Sequence, residues 1–230
     1  ATIGSLTVTS HATNGSSYYY KVATIGTVAG YDSGQSSAYA TLKTTVTDPT
    51  APNTVSTPTN VAPSSTHNLT WSGAAAGTNN AISTYEIHRS TDGGATYSLL
   101  TTDSASPLAV TAPATNGGTY TYKIKTVGAR SSSGLSSAYA TLTTTVGAPS
   151  VPTAVSVTNG TDVAPGKTRT LSWSGAANGT NNTIKGYHVY RSVNGGAYAY
   201  LAEVLTTATS GSLSVTAASS AATYTYKVLV

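Results

Sequence analysis

Two stretches of this chain are nearly the same stretch. Leu69-Thr70-Trp71-Ser72-Gly73-Ala74 returns as Leu171-Ser172-Trp173-Ser174-Gly175-Ala176, and Gly77-Thr78-Asn79-Asn80 returns as Gly179-Thr180-Asn181-Asn182 at the same spacing of 102 residues, 71 to 173. Tyr85-Glu86-Ile87-His88-Arg89 likewise matches Tyr187-His188-Val189-Tyr190-Arg191. Tyr120-Thr121-Tyr122-Lys123-Ile124 has two partners, Tyr18 to Val22 and Tyr224 to Val228. Ser37 to Leu42 matches Ser137 to Leu142 at a spacing of 100, 37 to 137, and the two-residue difference falls between Gly26 and Gly34. A loop absorbs such a change cheaply. A period of about 100 residues is the size of a whole domain, well above the 20–50 of a solenoid unit.

Prolines mark the boundaries. Pro49 and Pro52 follow Val46 as Pro149 and Pro152 follow Val146. Proline fixes its own φ and pushes the preceding residue to extended geometry, so each linker is short and semi-rigid. The expected organisation is residues 1–46 as the C-terminal part of one repeat, 47–147 as a complete repeat, and 148–230 as a repeat lacking its last strand.

Within a repeat the hydrophobic period is two. Leu69 and Trp71 share a face, as do Tyr85 and Ile87; in residues 120–125 the apolar set separates from the Thr and Lys set. That pattern belongs to strands buried on one side. Asp92-Gly93-Gly94 and Asn194-Gly195-Gly196 lie between alternating runs, where hairpin turns need positive φ. No segment sustains a helical period with caps. Short strands with turn signals about every ten residues predict an all-β sandwich.

Composition narrows the functional classes. Only 8% of residues are charged, and the formal net charge of +4 lies mostly in residues 148–230, where Lys167, Arg169, Lys185, Arg191 and Lys227 face Asp162 and Glu203. No basic run forms the footprint of a nucleic-acid groove, and no apolar stretch approaches the roughly 20 residues of a membrane-spanning helix. No nucleic-acid partner and no membrane insertion are therefore expected. The chain has no cysteine, so disulfides say nothing about compartment.

The residues Pro149, Pro152, Leu171, Trp173, Gly186, Tyr187, Val189, Tyr190, Arg191, Tyr224, Tyr226, Lys227 and Val228, with Gly134 to Ala138 of the preceding copy, resemble the fibronectin type III family in the form borne by bacterial and phage proteins. The resemblance covers essentially the whole chain. It implies tandem immunoglobulin-like Greek-key sandwiches, each with seven strands in two sheets. Trp71 and Trp173 would be core centres, joined by Tyr85, Tyr187, Tyr122 and Tyr226. Tyr120 and Tyr224 would open the sixth strand, where the fold often has a tyrosine corner. Phe is absent, so Tyr and Trp carry the aromatic core.

The residues that could carry chemistry are sparse. Of the carboxylates, Asp48 is expected in a linker, Asp92 in a turn and Asp103 near a strand end, and none forms the facing pair of acid–base catalysis. His67 is expected to precede the Trp71 strand, with His88 and His188 pointing outward; spacing and the lack of cysteine leave no metal set among the histidines. There is no Gly-x-Ser-x-Gly elbow and no phosphate loop. Asn14, Asn68, Asn159, Asn178 and Asn181 each open a glycosylation acceptor pattern, and Arg-Gly-Asp does not occur. No catalytic, cofactor or metal residue is assigned.

The positive candidates are loops. Thr78, Asn79, Asn80, Thr180, Asn181 and Asn182 follow the Trp strand, and Tyr31 lies in the loop before the seventh strand of the first copy. Loops at a sandwich end are natural ligand sites, and Tyr with Asn suits carbohydrate. The competing reading is turn chemistry, because Asn tolerates left-handed backbone and bonds its own chain.

The functional expectation is a non-catalytic structural spacer in a larger extracellular, cell-surface or virion protein. The alternatives are a carbohydrate- or receptor-binding adhesin and an accessory segment of a secreted glycosidase. Partners would be other domains of the same long chain, neighbouring subunits of an assembly, or carbohydrate. The last copy stops within its expected sixth strand, which would leave an unpaired edge; continuation of the array is expected, with a strand lent by a neighbouring chain as the alternative.

Overall fold

The computed structural model describes residues 4–158 and 162–230, so the acceptor pattern at Asn159 lies outside the described residues. Among these there are strands, turns and loops and no helix. The chain divides into two compact units, one of residues 1–58, 67–110 and 120–141, the other of residues 59–66, 111–119 and 142–230. The first proline linker lies inside the first unit and the second linker inside the second.

The first unit opens with β1 (Ser17–Tyr20) and β2 (Ala40–Lys43), antiparallel from Tyr20↔Ala40 to Ser17↔Lys43. The middle copy follows with β3 (Thr54–Ser56), β4 (Thr66–Ser72), β5 (Ile82–Ser90), β6 (Ser98–Asp103), β7 (Leu108–Thr111), β8 (Thr119–Gly128), β9 (Ser132–Leu135) and β10 (Ala140–Thr143). One sheet has the order β3-β4-β7 and the other β10-β8-β5-β6, with β9 also on β8. The chain thus lays β3 and β4 in the first sheet, crosses to β5 and β6 in the second, returns for β7 and crosses again for β8 to β10, the Greek-key arrangement of the immunoglobulin-like class. Val55, Leu69, Trp71 and Val110 are buried from the first sheet, and Ile87, Tyr122 and Ile124 from the second. Trp71 meets Tyr85 edge to face across the sheets at 5.5 Å between ring centres, a geometry that adds to the burial itself.

The second unit contains β11 (Ala154–Val157), β12 (Thr168–Ser174), β13 (Gly186–Val193), β14 (Ala199–Leu205), β15 (Gly211–Thr216) and β16 (Tyr224–Leu229). Their sheets are β11-β12-β15 and β14-β13-β16. One core joins Leu171, Trp173 and Val215 to Tyr187, Val189 and Val228. The Trp173–Tyr187 rings repeat the edge-to-face contact at 5.3 Å. Gly211 is opposite Trp173 in register, and a Cβ there would stand 2.5 Å from the indole. The ring needs the bare backbone beneath it.

Three expectations are corrected. His67 does not precede the Trp71 strand; it lies within β4, half-buried, on the face shared with Leu69 and Trp71. Of the aromatic residues expected in the core, Tyr85, Tyr120, Tyr224 and Tyr226 are half-buried; Tyr85 and Tyr226 still pack against it, whereas Tyr120 and Tyr224 lie at its margin. Tyr120 and Tyr224 sit under guanidinium groups, Arg89 at 4.4 Å from the Tyr120 ring and Arg191 at 4.9 Å from the Tyr224 ring, so cation–π contact holds the place assigned to a tyrosine corner. The seventh strand of the middle copy is broken into β9 and β10. Ser133 Oγ accepts the Thr126 N–H at 2.9 Å and Ser136 Oγ accepts the Ile124 N–H at 3.0 Å, so hydroxyls stand in for ladder carbonyls.

Trp71 is 6% exposed, and Trp71→Ala is expected to cost roughly 3–5 kcal/mol through lost packing and the cavity left behind. Denaturant unfolding of the whole chain followed at the middle copy measures it, and an unchanged transition would remove Trp71 from the core.

Candidate functional site

The two Gly-Thr-Asn-Asn loops are tight hairpins. Gly77 and Asn80 exchange backbone bonds at 3.0 and 3.2 Å, and Gly179 and Asn182 do so at 2.8 and 3.3 Å. Asn79 has φ of 51° and Asn181 of 48°, a left-handed conformation that Asn tolerates better than most residues. Glycine is required at the loop start by close approach. A Cβ on Gly77 would stand 2.0 Å from the Thr47 carbonyl oxygen, and one on Gly179 would stand 2.0 Å from that of Gly147.

What approaches each loop is the linker preceding it. The Thr47 N–H donates to the Thr78 carbonyl at 3.2 Å and the Gly147 N–H to the Thr180 carbonyl at 2.9 Å. The Thr78 N–H donates to Thr47 Oγ1 at 2.7 Å. Asn79 Nδ2 donates to the Thr45 carbonyl at 2.8 Å. Asn181 Nδ2 donates to the Thr145 and Asn60 carbonyls, each at 2.9 Å. Asn80 is buried and ties three segments. Its Nδ2 faces the Thr47 carbonyl at 3.0 Å and Ser131 Oγ at 2.9 Å, and its Oδ1 accepts the Arg130 N–H at 2.9 Å. Asn182, in the matching place, is half-buried. The hydrogen-bonding groups singled out as ligand contacts are thus largely engaged by the chain itself.

Tyr31 is not brought to these loops. It is exposed in the β1–β2 connection, beyond the Tyr20↔Ala40 end of the ladder, whereas Asn79 engages Thr45 past the Ser17↔Lys43 end. Two glycosylation patterns carry an amide nitrogen already in use: Asn14 Nδ2 donates to the Val46 carbonyl at 2.9 Å, and Asn181 is bonded as above. A glycan on either nitrogen would displace those bonds.

The ionisable groups pair locally. Glu86 Oε2 lies 3.2 Å from both His88 Nε2 and Lys125 Nζ. The His88 contact holds the Glu86 carboxyl below its ordinary value; burial opposes it, and the Lys125 contact adds to it. Asp92 is held well below the usual carboxylate range by the Ser90 hydroxyl and by Thr96, which makes it a turn-closing group. Burial pushes the Tyr122 phenol up to about 12. Among the described residues no cluster of His, Asp and Glu is arranged to hold a metal.

The surface of the described residues includes two hollows of note. One, of about 840 Å³, is lined by Val157, Val163, Val215 and Tyr226 with Lys167 and Arg169. Val163 is the counterpart of Val61, whose backbone bonds Thr143 and Thr145 in the middle copy. The other, open and of about 610 Å³, is lined by Tyr19, Lys21, Gln35, Ser37 and Tyr39. Sequence reasoning missed it because Tyr19 lies in β1 and Tyr39 just before β2, so no local pattern joins them.

No family model matches the chain, and no curated protein does. Solved fibronectin type III structures are similar to it. FN3tt is 23% identical, covering 44% of this chain and 97% of its own, with a TM-score of 0.34. The chicken CNTN1 FN1–FN3 domains are 18% identical over 91% of this chain and 70% of theirs, at 0.36. An Fn3-like protein from Clostridium thermocellum is 23% identical over 43% of this chain and 95% of its own, at 0.33.

Two outcomes are expected. Asn80→Ala strands the Arg130 N–H and the Thr47 carbonyl and should cost roughly 1–3 kcal/mol, read from denaturant midpoints against wild type. The depressed Glu86 carboxyl contributes stability that is complete above its ordinary value of 4.5 and is lost as pH falls through the lower folded value. Glu86→Gln should therefore flatten the acid limb of a stability–pH curve; an unaltered limb would show that the pairing contributes nothing.

Proposed function

We propose that this chain is a non-catalytic spacer segment of a larger extracellular, cell-surface or virion protein, whose work is to hold other parts of that protein at a set separation. The observation that supports it is the repeated bonding of the linkers. In the first, the N–H groups of Thr47, Thr50 and Asn53 donate to the carbonyls of Thr78, Ala75 and Ser72; in the second, those of Gly147, Ser150 and Thr153 donate to Thr180, Ala177 and Ser174. The prolines between them have no N–H to satisfy. Neither linker has the slack of a flexible tether, and a load along the chain would meet backbone bonds at once.

A second reading is favoured by the Tyr19–Tyr39 hollow. The rings stand edge to face at 5.7 Å and are exposed beside Gln35 and Lys21, a set of aromatic faces and polar groups suited to a carbohydrate.

Hydrogen exchange separates slack from stiffness. In the spacer the six linker amides exchange as slowly as strand amides; exchange at the rate of free peptide would overturn the reading. A glycan array with the intact chain tests the alternative, which fails without binding that Tyr19→Ala abolishes.

A further inference from the structure

The linker stretch that each Gly-Thr-Asn-Asn loop meets is gripped from its other side as well, by the repeat it is leaving. Asn14 Oδ1 accepts the Val46 N–H at 2.7 Å while its Nδ2 donates to the Val46 carbonyl at 2.9 Å. Asn116 makes the same pair with Val146, at 2.8 and 3.2 Å. Val46 and Val146 therefore have both peptide groups satisfied by one amide of their own repeat. One residue before each valine, Thr45 and Thr145 offer the carbonyls taken by Asn79 and Asn181 of the following repeat. One residue after, Thr47 and Gly147 carry the N–H groups taken by Thr78 and Thr180. Three consecutive residues are thus bound alternately by the repeat behind and the repeat ahead.

We infer that the Gly-Thr-Asn-Asn loop is a self-recognition site, whose ligand is the asparagine-clamped end of the last strand of a preceding copy of this repeat, and that Asn79 and Asn181 are the residues that set the orientation of one repeat on the next. This deepens the spacer reading and rests on it. The chemistry is specific in three ways. The loop's glycine admits the incoming carbonyl, because any Cβ at Gly77 or Gly179 would overlap it. The left-handed asparagine turns its amide to face a backbone carbonyl, so it reads the path of the tail and not its side chains. The tail must present Thr-Val as a bound strand end, which the Asn14 or Asn116 amide enforces. The middle copy carries both halves: a loop at Gly77–Asn80 and a clamped tail at Thr145–Gly147.

The test removes the grip without removing the turn. Asn79→Gly and Asn181→Gly keep left-handed backbone and delete only the side-chain amide. Asn181→Asp keeps nearly the same shape and sets a carboxylate against the Thr145 and Asn60 carbonyls. The chain has no cysteine, so paired cysteines at the exposed positions Ile25 and Leu99 in the first unit, or Ala114 and Leu205 in the second, can be spin-labelled uniquely in the full chain. In the wild type each pair should give one narrow distance peak by double electron–electron resonance. Asn79→Gly should lose the first peak alone, and Asn181→Gly and Asn181→Asp the second alone, with the thermal transition of the sandwiches in place. Narrow peaks in wild type that stay narrow in all three variants would overturn the assignment while leaving the spacer reading standing. Broad peaks already in wild type would sink the spacer reading as well.

Discussion

Everything in these sandwiches is arranged around an indole. Trp71 and Trp173 each cross from one sheet to meet a tyrosine of the other edge to face, in a chain with no phenylalanine to share the load. An aromatic buries 150–250 Å², so one Trp accounts for a large share of a small core. The rest follows from accommodating it. Gly211 is bare where the second indole lies, and the inward positions of the flanking strands are Leu, Ile and Val. With 8% charged residues, ion pairs add little; the three described involve partly exposed groups, a class worth about 0–1 kcal/mol each at most.

Where the ladders stop, small polar side chains take over from backbone. Ser133, at the irregularity in the β8–β9 pairing, and Ser136, just after β9, accept N–H groups of β8 and pass a bond on to the carbonyls of Gly134 and Ala138. Ser33 and Ser36 do the same with Thr24 and Val22 in the first copy. A buried peptide group without a partner costs free energy comparable to a lost hydrogen bond. The richness in Ser, Thr and Asn thus has a structural use: short side chains close gaps that a carbonyl cannot reach.

The fold was legible because its signal is periodic and repeated. Alternation fixed the faces of Leu69, Trp71, Tyr122 and Ile124, and glycine-rich turns marked the hairpins. Two things escaped. Tyr120 and Tyr224 alternate with the core set, yet each lies near a strand start where the core ends and an arginine can reach over the ring; periodicity cannot see how far a sandwich extends. The loops were legible as turns, since Asn at positive φ is local chemistry. Their engagement of the linkers was not, because Asn79 and Thr45 are 34 residues apart in sequence and no short-range pattern connects them. The one clue was that a Gly-Thr-Asn-Asn loop follows each proline linker, starting 28 residues after Pro49 (49 to 77) and 30 after Pro149 (149 to 179), a coupling that two copies suggest but do not explain.

The two junctions reach the same end with different atoms, which is the strongest sign that the geometry and not the sequence is being kept. Thr47 supplies a hydroxyl that accepts the Thr78 N–H at 2.7 Å. Its counterpart Gly147 has no side chain and loses that bond. At the same junction Asn181 gains a second acceptor, the Asn60 carbonyl, and Asn60 Oδ1 in turn accepts from the Thr145 hydroxyl at 3.1 Å. One bond is dropped, one appears on the same three-residue stretch at Thr145, and one ties the loop to Asn60 beside it. A linker that only needed to be short would have no reason to replace what it lost; one that must hold an angle does.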